Sequence, residues 1–202
     1  MKQKLIALAV LSTLSLPTFA INYQFTSGSQ TISDNVNAIV QIGDGETGTL
    51  HAIRVQGDKT NVIMNGESID VKVIVDRSYD DSWPSVSGIT TTNSGNLTLG
   101  SENTNSIVVN VDVDGTGVSN KTQYGLVASG IWATNSHNDP KSVDGGSITV
   151  NANNLEINVH SEQGWSYGLY SQNRSVDSSK EKSRLVINAD NTVIRATSGV
   201  KG

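Results

Sequence analysis

The residues most suggestive of chemistry are Asn110-Val111-Asp112-Val113-Asp114-Gly115. They put oxygen donors at positions one, three and five and glycine at six, as in the opening of a calcium loop. Position twelve of such a loop is a bidentate carboxylate; here it is Lys121. The same residues also alternate, with Val109, Val111 and Val113 on one side and Asn110, Asp112 and Asp114 on the other. A strand with its valines inward accounts for every one of them, so no metal is expected. The three histidines, His51, His137 and His160, are far apart in sequence and show no metal-ligand spacing. No Gly-x-Ser-x-Gly nucleophile elbow occurs. Asp80 and Asp81 beside Trp83, and Arg174 near Asp177, have the composition of a glycan-cleaving site. They read more simply as solvated loop charges. The chain is therefore expected to have no catalytic residue, cofactor or metal ligand, and not to be an enzyme.

The aromatic residues carry a different chemistry, that of a binding surface. Trp132 follows Ile131, and Tyr170 follows Leu169. If Ile131 and Leu169 point into a core, alternation turns Trp132 and Tyr170 outward. With Trp165 and Tyr167 nearby, the four form a possible ligand platform, flat enough for a sugar or a protein loop. The bland reading is aromatic stacking that only stabilises a surface.

The elements that must position these residues recur along the chain. Apolar anchors stand at Ile53, Ile89, Ile131 and Leu169, separated by 36, 42 and 38 residues. Gly88, Gly130 and Gly168 precede the last three, and Asn93, Asn135 and Asn173 follow four residues later. Each anchor is followed by two short runs of period-two alternation. Examples are Asn61-Val62-Ile63-Met64 with Ile69-Asp70-Val71-Lys72-Val73, and Ile148-Thr149-Val150 with Leu155-Glu156-Ile157-Asn158-Val159. Period two marks a strand buried on one face. Three strands per unit, each unable to bury its face alone, predict an all-β, right-handed parallel β-helix (solenoid) with repeats of about 40 residues. The polar stretches 137–147 and 174–183 are expected to project from it as loops. An antiparallel sandwich is the alternative architecture.

The N-terminus has the order of a signal peptide: Lys2 and Lys4, an apolar stretch over residues 5–16, then Pro17 and Thr18-Phe19-Ala20 before Ile21. Residues 1–20 are thus expected to be a cleaved leader and 21–202 one domain. Loss of two lysines leaves 12 basic residues against 19 acidic, a net charge of −7. That balance argues against nucleic acid and anionic membranes as partners. Cysteine is absent, so stability in an oxidising compartment rests on a core and not on disulfides.

With export, the cysteine-free Asn/Ser/Thr/Gly-rich chain, and units such as VSGITTTNSGNLTLGS, VASGIWATNS and SYGLYSQNRS, residues 21–202 resemble the N-terminal passenger region of Gram-negative type V autotransporter adhesins. The resemblance implies a non-enzymatic β-helical binder, with a host or neighbouring-cell surface protein or glycan as partner. The family pattern ends in an outer-membrane β-barrel translocator, which is not found in these residues, so the solenoid is expected to be incomplete at its C-terminus. The expected location is the periplasm after export through the inner membrane, or the cell surface if a translocator is supplied. Alternatives are a secreted β-helical polysaccharide lyase or hydrolase, and a fimbrial-type structural subunit.

Overall fold

A computed structural model describes residues 19–43, 50–76, 78–79, 85–114, 117–118, 127–135, 144–162, 164–173 and 179–199. Among them are sixteen strands and no helix. Residues 1–18 of the expected leader, the Asp80, Asp81 and Trp83 cluster, Lys121, His137, and Arg174 with Asp177 lie outside the described residues, as do most of the two expected loops.

The chain opens with β1 (Phe19–Ile21), β2 (Tyr23–Phe25), β3 (Ser29–Ile32) and β4 (Val36–Ile42). Next come β5 (His51–Gln56), β6 (Asn61–Met64), β7 (Ser68–Val75) and β8 (Ser78–Tyr79). Then follow β9 (Ser85–Thr92), β10 (Asn96–Leu99), β11 (Ser106–Val113) and β12 (Gly117–Val118). The last four are β13 (Val127–Thr134), β14 (Ser147–Ser161), β15 (Trp165–Gln172) and β16 (Arg184–Ser198).

These strands pair in parallel, except that β1 runs antiparallel along β4. A five-stranded sheet runs β2-β5-β9-β13-β15. A nine-stranded sheet has two arms, β4-β7-β11 and β3-β6-β10, which meet in the long strand β14; β16 pairs along the whole of β14. Strands β8 and β12 form a separate parallel pair. This is a curled, all-β, parallel architecture, so the antiparallel sandwich does not describe it.

Register is fixed by apolar columns. Ile53 pairs with Ile89, Ile89 with Ile131, and Ile131 with Leu169, so the four anchors form one column. Ala38, Val71, Val109, Ile157 and Ile194 form another. A slip of one residue would turn every such side chain out of the core, which is why alternation specifies the pairing so strongly. Each buried Val, Ile or Leu stabilises the fold by roughly 1.5–3 kcal/mol. The anchor-preceding glycines also have a cause. A Cβ on Gly88 would sit 2.5 Å from Val109 Cγ1, and one on Gly130 would collide with Ile157 Cγ2. The missing side chain lets β9 and β13 approach the opposite arm. The asparagine four residues after the anchor serves the turn: Asn135 Nδ2 donates to Asn173 Oδ1 at 3.3 Å.

Two features depart from the sequence expectation. First, β2, β3 and β4 already form a three-strand set ahead of the first anchor, with Tyr23 pairing with Ile53. Its short Tyr23-Gln24-Phe25 strand has neither the glycine nor the asparagine of the later units. Second, the runs expected as separate strands in 148–159 and 185–195 are continuous in β14 and β16. In β14 the alternation breaks only at Asn153-Asn154, both exposed, so two residues turn the corner that Gly100–Asn105 turn in the preceding set. The expected cleavage point after Ala20 lies between two residues of β1.

The two ends of the core differ. Val36, Ala38, Val40 and Ile42 in β4 are buried, whereas Val193 and Ile194 of β16 are 41% and 42% exposed.

Candidate functional site

The outer face of the β7-β11-β14-β16 arm carries the polar half of the alternation. Register places Lys72, Asn110, Asn158 and Arg195 in one row across the four strands. The next row holds Ile74, Asp112, His160 and Thr197. Together they line a shallow groove of about 440 Å³. Asn158 Nδ2 donates to Asn110 Oδ1 at 2.9 Å and to Glu156 Oε1 at 3.2 Å. Arg195 Nη1 donates to Glu156 Oε1 at 2.7 Å and to Asn158 Oδ1 at 3.1 Å. These donors hold the Glu156 carboxyl below its usual range, Asn158 having the larger effect. The Glu156–Arg195 pair is exposed and stabilises little.

The lower row is the chemically richer one. His160 Nε2 lies 3.7 Å from Asp114 Oδ1, and Asp112 sits opposite His160 in register. The potential ligand atoms of Asp112, Asp114 and His160 all lie within 4.8 Å of one another. Burial, and then the neighbouring Asp114, push the Asp112 carboxyl up; His160 and Lys72 oppose the shift. Sequence spacing hid this cluster. His160 is remote from Asp112 along the chain, and only the pairing of β11 with β14 joins them. The alternation read from the sequence is present here, with Val109, Val111 and Val113 buried and Asp112 and Asp114 exposed.

The aromatic residues lie on the five-stranded sheet. Trp132 pairs with Tyr170 in register, and their rings stack with centroids 5.8 Å apart and planes 25° from parallel. Tyr167 stacks on Tyr170 at 4.7 Å and 11°. Trp132 is only 5% exposed, so it lies beneath the surface rather than on it. The accessible part of the expected platform is Tyr167 and Tyr170, both half-buried, with the exposed Trp165 on the same strand.

A third contact has the look of a catalytic pair. His51 Nδ1 lies 2.7 Å from Ser87 Oγ. Ser87 is fully buried, and burial, with Arg54 adding to it, lowers the His51 pKa to about 4. A nucleophile must reach its substrate, so this neutral pair reads as a buried structural contact. A second cavity of about 440 Å³, lined by Asp58, Lys59, Asp144, Glu181, Lys182 and Arg184, mixes both signs of charge.

Comparison with protein-family models, with curated proteins and with solved structures gave no match to this chain.

Proposed function

We propose that the chain is an exported, non-enzymatic binding protein of the autotransporter-passenger kind, built as a right-handed parallel β-helix with repeats of about 40 residues. The observation that carries the reading is the column Ile53-Ile89-Ile131-Leu169, in which equivalent positions of successive strand sets lie directly on one another. Stacking of this sort builds long regular outer faces suited to binding extended or repetitive surfaces. Tyr167, Tyr170 and Trp165 supply aromatic contact area on one face, and amide-rich rows supply hydrogen bonds on another. The partner is a protein or glycan on a host or neighbouring cell. Export follows the leader-like order of residues 1–20, with the periplasm, or the cell surface if a translocator is supplied, as the address. The test is to incubate the labelled, folded protein with a panel of host and bacterial cells. Saturable, competable binding supports the reading, and purely linear uptake opposes it.

A second reading is favoured by one observation. Asp112 and His160 line a groove with Lys72 and Arg195, and Asp114 lies within 4.8 Å of both, a mixture of carboxylates and cations suited to polysaccharide cleavage. Release of reducing sugar or of unsaturated product from a glycan panel, abolished by Asp112→Asn, would establish it.

A further inference from the structure

We propose that Asp112, Asp114 and His160 form a surface site for a divalent transition-metal ion, with Zn²⁺ the ion that suits its donors best. Three ligand atoms from two neighbouring strands already lie within 4.8 Å of one another. Asp112 and Asp114 are two residues apart on β11 and so share its outer face, while β14 brings His160 opposite Asp112. Zinc needs its nitrogen and oxygen donors at about 2.0–2.2 Å. Exposed side chains on adjacent strands, about 4.8 Å apart, reach that by rotation of their own bonds.

The orientation of the imidazole is a separate observation. Thr197 Oγ1 donates to the Val159 carbonyl at 3.5 Å, and His160 Nδ1 lies 2.9 Å from Thr197 Oγ1. A proton on Nδ1 is then donated to Thr197. This leaves Nε2 as the nitrogen with a free lone pair, 3.7 Å from Asp114 Oδ1. A lone pair facing a carboxylate is repulsive unless a proton or a cation stands between them. Fixing the far nitrogen of a histidine by a second hydrogen bond is how metal ligands are commonly oriented. The like charges of Asp112 and Asp114 add to the pull on a cation.

The donor set chooses the ion. Carboxylates alone suit calcium or magnesium, whereas an imidazole favours zinc, copper, iron or nickel. Three protein donors leave at least one position for water or an external ligand.

The test is titration of the untagged full chain with ZnCl₂ by isothermal calorimetry near pH 7.5. The expected result is one ion per chain, with binding at least tenfold weaker in His160→Ala and in Asp114→Asn, and unchanged in His137→Ala. Asp114 and His160 lie on the polar side of their strands, so circular dichroism should report the same strand content in the two variants. Absence of saturable Zn²⁺ binding, equal binding by the His160→Ala and Asp114→Asn variants, or Ca²⁺ binding as tightly as Zn²⁺ would each overturn the assignment. Co²⁺ supplies a second readout: selective broadening of the His160 ring protons supports the site, and intact signals contradict it.

Discussion

Trp132 and Tyr170 stack across adjacent parallel strands with centroids 5.8 Å apart, yet Trp132 is 5% exposed and Tyr170 half-buried. Two residues at equivalent positions therefore do different work. Trp132 is a packing element, and its removal leaves a large void. Trp132→Ala is expected to destabilise the fold by about 3–5 kcal/mol, the usual cost of deleting a buried tryptophan. Tyr170→Ala should cost clearly less. Urea denaturation followed by circular dichroism measures both, and equal costs would contradict the assignment of Trp132 to the interior.

Gly130 is held to glycine by packing against Ile157. A Gly130→Val variant forces β13 away from the opposite arm and should lose about 1–3 kcal/mol, as overpacked cores do. The paired change Gly130→Ala with Ile157→Ala makes room at that contact. Its loss should be smaller than the sum of the two single losses. Simple additivity in chemical denaturation would show that the two positions do not meet.

His51 makes stability depend on pH in a predictable direction. Its folded pKa of about 4 lies below the unfolded value near 6.5, so the unfolded chain binds the proton first. The advantage of the neutral, folded form is complete above about pH 6.5. It is lost progressively as the pH falls from there to about 4, amounting to about 3 kcal/mol in all. In His51→Gln this part of the slope should vanish. Denaturation midpoints of the two proteins across that window check the difference, and parallel curves would refute it.

Strand β1 lies along the edge of β4 through Phe19, Ala20 and Ile21. Processing after Ala20 would remove two of those three residues. A chain beginning at Ile21 should then exchange its β4 amides faster than one beginning at Phe19, because an edge strand protects fewer of its backbone groups. Hydrogen exchange read by mass spectrometry compares them, and identical protection would show that β1 does not shield this edge.

What could be read beforehand followed from side-chain periodicity. Ile107, Val109, Val111 and Val113 announce a half-buried strand by themselves, and the spacings of Ile53, Ile89, Ile131 and Leu169 imply the column that they form. Properties that arise between strands were not legible. Asp112 and His160 meet only through register, and the depth of Trp132 depends on what lies around it and not on its own alternation. The set containing Tyr23, Ile32 and Val36 was not legible because its first strand is short and carries neither the glycine nor the asparagine that marks the last three anchors.

The proposed binding function puts Trp165, Tyr167 and Tyr170, at the β15 end of the five-stranded sheet, in contact with the partner. The most direct measurement is saturation binding of the labelled protein and of its Trp165→Ala/Tyr167→Ala/Tyr170→Ala variant to the cell type that takes up most of it. The account predicts saturable binding by the native protein and at least a tenfold loss of affinity in the folded variant. Unchanged affinity in the folded variant, or no saturable binding by the native protein, would contradict it.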